Sequence, residues 1–575
     1  MTPRWIAAVG LVLVAAATVV VVLQSGESAP PPPSEPSPDA EATPTAQPTD
    51  DRPLPKKAYL RAACGLPAEW VERIYRGWKP GSARDDDLVL VPTPPNYMGT
   101  FINTSHSAAY DFLQEVPLVL YGPGLIKPTG PTRLEGEVTI ADLAPTFAEL
   151  MDFEGWPDRK PSRSLSEILE ATDEKPKLIV TAVMDGGGWN ALEQWPGAWP
   201  NIERLADEGA SLEGAIVGSS PSITPATHTN LSTGTFPRQH GVSAIAVRAD
   251  DGAIVGSFSE SAGNPGARMM DPRISLRRTT IADEWDRANG NRPKIGMLGS
   301  GNLQLGMIGF GAALRGGDKD FAVMKSGEGW ITNEEFYSLP SYVNEEVAGP
   351  EDDIESVDRS DGEADGKWLG HEIPVDGSPA FAPWENRTMQ AVLEREGFGD
   401  DSVTDLFYVN YKAPDRAGHL YNMIAPEQRE VIASVDAAIG DMVAWLDDNV
   451  GRGGYVMVVT ADHGQTPLEA GGWPIARDEI VSDINATFAP EGQSVLQRTS
   501  ASSFFMRSEE IDAFGTSPGE IASYLSRYRI KDNIPPGGSV PEGFQNRLNE
   551  RIFDAVFPGS KLDAIVDCTG AFGTK

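Results

Sequence analysis

The segment Thr460-Ala-Asp-His-Gly464, at the end of the apolar run Tyr455-Val-Met-Val-Val459, decides how this chain reads. A short apolar run that stops at polar residues and a glycine predicts a buried strand and its exit turn. Asp462 and His463 stand side by side at the C-terminal end of that strand and can both reach one cation. The carboxylate supplies charge and the imidazole a borderline-soft nitrogen, a donor pair that suits zinc. Taken alone, the pair also fits an Asp that merely caps a strand.

Three other segments carry the same chemistry. Leu178-Ile-Val-Thr-Ala-Val-Met184 is a second apolar strand, ending in Asp185 and Gly186-Gly-Gly188. The strand-like Leu406-Phe-Tyr-Val-Asn410 is followed by Asp415-Arg-Ala-Gly-His419, whose Asp and His, four apart, can face one ion from a single turn. Between them lies Pro221-Ser-Ile-Thr-Pro-Ala-Thr-His228, running on to Thr233-Gly-Thr-Phe-Pro-Arg-Gln-His240-Gly241. Thr224-Pro225 reads as a helix N-terminus with Pro at the first helical position. A hydroxyl there sits at the positive end of the helix dipole, where an alkoxide and a phosphate are both stabilised. Thr224 as a simple N-cap is the plainer alternative. His228 and His240 read as structural.

Strands near 178–185, 293–299, 405–411, 454–460 and 116–121 alternate with amphipathic stretches such as Pro200 to Glu208, Thr280 to Trp285 and Pro426 to Asn449. That alternation predicts a three-layer α/β/α sandwich with a mostly parallel central sheet and the site at the strands' C-terminal edge. Ser494 to Met506 and Pro518 to Leu525 read as a smaller strand-helix subdomain inserted after Asp462-His463.

In this order the motifs resemble those of the alkaline phosphatase superfamily, in its Thr-nucleophile branch of nucleotide pyrophosphatases/phosphodiesterases. The likeness extends over roughly residues 60 to 570. The resemblance implies two Zn2+ ions and a nucleophilic Thr224. Asp185, Thr224, Asp462 and His463 match one zinc site; Asp415 and His419 match two ligands of the other. The family places the remaining ligand, a His, downstream of Asp-His-Gly, yet none of the six His of this chain follows His463. The block that closes the domain in the family stands here at residues 88 to 150. It contains Asn103-Thr-Ser-His-Ser107, Val116-Pro-Leu-Val-Leu-Tyr-Gly-Pro-Gly124 and Thr139 to Leu150. The resemblance therefore implies a circular permutant with His106 as the missing ligand. It also implies a Cys64–Cys568 disulfide. In the family's order the segment around Cys568 would lead into the one around Cys64, and these are the chain's two cysteines.

The chain departs from the family where monoesterases grip phosphate. A Lys-x-Arg pair is replaced by Ser300 and Asn302, and an Asn after the His-Gly motif by Ile245. Each lost donor is worth roughly 3 kcal/mol at a transition state. A diester, a phosphonate or a lipid-linked phosphate is thus as plausible a substrate as a monoester. Formylglycine sulfatase chemistry is disfavoured, since Thr224-Pro-Ala-Thr227 lacks the required Cys or Ser setting. The expected function is a zinc-dependent phosphoester hydrolase; the alternatives are a phosphotransferase on envelope lipids or glycans, and a catalytically degenerate anchored binding module.

The chain has 575 residues and a formal charge of −36, which argues against nucleic acid as a partner and leaves a small phosphoester as the expected one. The acidic run from Glu351 to Asp365 reads as a solvated loop. Trp5 to Leu23 carries no charge and is long enough to cross a bilayer. Residues 1–25 are expected to anchor the protein, or to act as a signal if cleaved, with 26–58 a disordered Pro-rich tether. Residues 59–575 form the expected extracytoplasmic catalytic region: 59–165 the permuted part, 175–465 the core with the metal motifs, 466–560 the smaller subdomain. Nothing in the sequence sets the oligomeric state.

Overall fold

The apolar runs that end in the candidate ligands are strands of one ten-stranded sheet in the computed structural model. In chain order its main strands are β1 (Leu118–Tyr121), β2 (Gly130–Thr132), β3 (Leu178–Met184), β4 (Ala210–Leu212), β5 (Ile295–Gly299), β6 (Asp320–Ser326), β7 (Gly329–Ile331), β8 (Asp405–Tyr411) and β9 (Tyr455–Ala461). They lie in the order β7-β6-β5-β8-β3-β9-β1-β4-β2, with Tyr337–Ser338 pairing on β6. From β6 to β9 every pairing is parallel; β1 then joins β9 antiparallel.

β3 shows why these runs are continuously apolar. Leu178, Val180, Ala182 and Met184 face one core, Ile179 and Val183 the other, and all are buried. A parallel strand covered on both faces has no polar side to display. Each fully buried aliphatic side chain contributes roughly 1.5–3 kcal/mol. Helices Pro200–Glu208, Phe381–Glu396 and Pro426–Asn449 cover the first face; Leu143–Leu150, Thr224–Thr233 and Ile281–Ala288 cover the second. This is the expected α/β/α sandwich.

The structure describes residues 57–573 except 79–86, 102, 250, 261–268, 328, 469–470 and 501–502. The expected anchor and nearly all of the expected tether lie outside the described residues; Ala58, assigned to the tether, opens helix Ala58–Ala63. No described helix is long and apolar enough to cross a membrane.

The stretch expected as a smaller inserted subdomain belongs to a second core that also draws on other parts of the chain. Strands Leu496–Ser500 and Ser503–Met506 continue into Leu88–Pro92 and Phe553–Pro558, giving a four-stranded antiparallel sheet built from both ends of the described chain. A lone hairpin is marginal in water, so the two extra strands supply the apolar face it lacks. Residues from helices Ala58–Ala63, Ala68–Gly77, Pro518–Leu525 and Leu562–Thr569 complete this core. The stretch expected as one permuted block is thus divided: residues 58–92 serve the second core, while Leu118 to Leu150 serve the main sheet. Cys64 and Cys568 are disulfide-bonded, with Cα atoms 5.5 Å apart.

The acidic run is a further correction. Glu351–Ser360 is a helix, not a loop. Ile354 and Val357, three apart, pack against the main core, and Arg387 pairs with Asp353 at 2.5 Å. Three acids in its first turn also suit the positive end of the helix dipole.

Candidate metal centre

β8, β3 and β9 are neighbours, and Met184 is in register with both Tyr411 and Ala461. The residues that follow the three strands therefore emerge at one edge: Asp185 after β3, Lys412 to Asp415 after β8, Asp462 and His463 after β9. Gly186 makes the first exit turn with φ of 69°, and its N–H donates to Asp462 Oδ1 at 3.0 Å. A side chain there would be strained and would crowd the Asp415 backbone. Gly464, expected to serve a sharp turn, is needed for a different reason: a Cβ would lie 2.1 Å from the Phe112 carbonyl.

The candidate ligands gather in two groups, His106 with Asp415 and His419, and Asp185 with Asp462 and His463. Within each group one potential ligand atom per residue lies within 4.8 Å of the others. His106 Nε2 is 3.6 Å and His419 Nε2 3.4 Å from Asp415 Oδ1. His463 Nε2 is 3.2 Å from Asp462 Oδ2, 3.6 Å from Asp185 Oδ1 and 4.0 Å from Asp415 Oδ1. The two groups abut through His106 and His463, whose rings stack 3.5 Å apart. Asp415 and His419 share helix Ala413–Tyr421, one turn apart.

The ring orientations suit metal ligation. Nδ1 of His106 lies 2.7 Å from the Ser222 carbonyl and Nδ1 of His463 lies 2.9 Å from that of Gly464. A carbonyl fixes Nδ1 as the N–H donor and leaves Nε2 with its lone pair toward the carboxylates. Asp462 Oδ2 and His463 Nε2 are buried without a hydrogen-bond partner, and Asp185 Oδ1 meets only the Lys412 ammonium. Two buried ligand atoms left without a hydrogen bond, 3.2 Å from each other, are costly as they stand. Burial, then the Asp185 carboxylate, pushes the Asp462 carboxyl well above its usual range. Burial also lowers both His106 and His463, keeping the imidazoles neutral as ligation requires. The donor set fits zinc or a similar divalent ion.

Thr224 opens helix Thr224–Thr233 and is 6% exposed. His228 and His240 have no free nitrogen. His228 Nδ1 lies 2.8 Å from the Thr224 carbonyl and Nε2 accepts from Asn410 at 2.9 Å. His240 joins Asn230 Oδ1 through Nε2 and accepts from the Val242 N–H at Nδ1. Both therefore pack and bond the helix, as the sequence suggests.

Three residues at the site escaped the sequence reading. Asn410 donates to Asp185 Oδ2 at 3.0 Å, and Gln465 Nε2 ties the Gly186 and Pro414 carbonyls together. Lys412 reaches Asp415 Oδ2 at 2.7 Å, Asp185 Oδ1 at 3.0 Å and Thr224 Oγ1 at 3.4 Å. Burial works against its charge, but Asp185, Asp415 and Asp462 outweigh that and hold the ammonium above its ordinary pKa. The available signal was a polar pair, Asn410 and Lys412, at the end of a buried strand. Of the positions where phosphate donors are replaced, Asn302 spends its amide on the Ser257 carbonyl and Ser300 accepts from Gln304. Ile245 is half-exposed beside Ala244, which packs on Ile223 and Ala226 at the start of the Thr224 helix.

An α/β sandwich with buried Asp and His groups at the C-terminal edge of its sheet, beside a helix-opening Thr, defines an alkaline-phosphatase-like protein. The family model for type I phosphodiesterase / nucleotide pyrophosphatase matches residues 179–529, and the chain belongs to that family. It is 23% identical to alkaline phosphatase PhoV of Synechococcus elongatus, over 54% of this chain and 62% of that protein. It is 22% identical to alkaline phosphatase PafA of Elizabethkingia meningoseptica, over 50% of this chain and 60% of that one. The chain thus spans about three-fifths of the length of these curated relatives. A crystal structure of a PafA mutant shares the fold, with a TM-score of 0.50 and 17% identity over 68% of this chain and 86% of that chain.

Proposed function

We propose that this protein is a zinc-dependent phosphoester hydrolase that works through a phospho-threonine intermediate. The carrying observation is the two groups of buried Asp and His atoms at one sheet edge, linked through Lys412 to Thr224. Asp185, Thr224, Asp462 and His463 would hold one zinc ion, and Asp415, His419 and His106 the other. Bound zinc would supply Lewis acidity and lower the pKa of the threonine hydroxyl and of water. Thr224 Oγ1 attacks phosphorus as the bond to the leaving alcohol breaks; water then attacks the same phosphorus and returns the hydroxyl. The positive end of helix Thr224–Thr233 faces the anionic ester. Action outside the cytoplasm is supported by the uncharged segment 5–23 and by the disulfide, which persists in oxidising compartments.

The test is the full-length chain, recovered from membrane and soluble fractions and offered an aryl phosphodiester, an aryl phosphomonoester and an aryl sulfate. The expected result is phosphoester turnover in the membrane fraction, lost to a chelator and restored by zinc. Zinc-loaded protein that turns over no phosphoester would be a binding module. Product transferred mainly to an added alcohol would make it a transferase.

We further infer that the chain is circularly permuted. Support comes from His106, which precedes β3 yet adjoins Asp415 and His419, and from the disulfide that ties the two ends of the second core. A chain recut to begin at Lys175, with residue 573 linked to Lys57, is expected to fold and to bind as much zinc as the natural one. An insoluble or zinc-free product would count against the inference.

A further inference from the structure

β8 delivers Lys412 to the gap between the two ligand groups. Its ammonium touches Asp415 of one group, Asp185 of the other and the hydroxyl of Thr224. Among the described residues no other lysine or arginine pairs with Asp185, Asp415 or Asp462. The side chain is 19% exposed, so it lies largely inside the site with an opening to solvent. At the positions where the family's phosphate donors are replaced, the Asn302 amide donates to the Ser257 carbonyl, Ser300 Oγ accepts from Gln304, and Ile245 has no donor. An ammonium beside the attacking oxygen stands where the non-bridging oxygens of a phosphoryl group must come.

We propose that Lys412 grips a non-bridging phosphoryl oxygen and that its single charge matches the site to monoanionic substrates, that is, phosphodiesters. This rests on the reading of Thr224 as nucleophile in a two-zinc phosphoesterase. Charge counting gives the selectivity. The carboxylates of Asp185, Asp415 and Asp462 plus a Thr224 alkoxide carry four negative charges, which two divalent ions cancel. Lys412 leaves one positive charge. A diester monoanion neutralises it, whereas a monoester dianion leaves an uncompensated negative charge in a buried site, which is costly. Before substrate arrives, the same ammonium donates to Thr224 Oγ1 and orients that oxygen.

The experiment compares zinc-loaded wild type, Lys412→Met, Lys412→Arg and Thr224→Ala. Zinc content, binding of inorganic phosphate by calorimetry, and kcat/KM on aryl di- and monoesters are measured. Lys412→Met is expected to keep its zinc, to bind phosphate more weakly, and to lose about 10²–10³-fold in kcat/KM on the diester, as when one preorganised donor is removed. Lys412→Arg is expected to retain phosphate binding, and carries the test if the Met variant does not fold. Wild type is expected to prefer the diester. Unchanged phosphate affinity and turnover in Lys412→Met, loss of zinc from it, or a wild-type preference for the monoester would overturn the proposal. If wild type hydrolyses neither ester, or Thr224→Ala matches it, the underlying reading fails instead.

Discussion

Replacing Thr224 with alanine is expected to lower phosphoester turnover by at least about 10³-fold while leaving the fold and most of the bound zinc in place. The magnitude follows from removing the group proposed to form the covalent intermediate, a class of substitution that costs orders of magnitude in kcat. The fold should survive because the helix keeps Pro225 in its first turn, and the buried bonds from Thr227 and His228 use the Ile223 and Thr224 carbonyls rather than the lost hydroxyl. Thr224→Ser retains a hydroxyl and should retain activity. Steady-state turnover, circular dichroism and metal analysis check this together. A Thr224→Ala enzyme as fast as wild type would remove the covalent mechanism.

Replacing His106 with alanine is expected to cost about one zinc equivalent. The affinity loss should exceed the roughly 10–100-fold seen when outer-shell partners of a metal site are removed. His106 is held by two bonds across a gap of 116 residues, its Nδ1 to the Ser222 carbonyl and its own carbonyl to the Ser222 hydroxyl. That double anchor fixes Nε2 opposite Asp415. Metal stoichiometry after dialysis, with thermal unfolding as a control for folding, is the measurement. Two equivalents retained at wild-type affinity would remove His106 from the ligand set.

The strands and the candidate ligands on them are legible in the sequence for one reason. A parallel strand buried on both faces must be apolar throughout, so β3 and β9 stand out, and Asp185, Asp462 and His463 mark where they surface. The helical pair Asp415 and His419 is legible because i and i+4 share a face. What joins these segments at one edge is their register, which no local pattern records. His106 shows the difference. Asn103-Thr-Ser-His-Ser107 carries no ligand spacing of its own, and only the resemblance of the block around it to a family suggested ligation.

Tertiary structure alone decided the rest. The second sheet takes Leu88–Pro92 and Phe553–Pro558 from opposite ends of the described chain, a pairing across more than four hundred residues that no local periodicity can specify. The acidic helix Glu351–Ser360 exists because Val357 and Ile354 find a core and Asp353 finds Arg387, so its charged composition misled. Lys412 reads as an ordinary lysine at a strand end. It faces Asp185, Asp415 and Thr224 only because three separate segments meet there. Short-range chemistry, apolar period and ligand spacing, was determined by the sequence itself; long-range proximity, which side chain meets which charge, was set by packing and strand register.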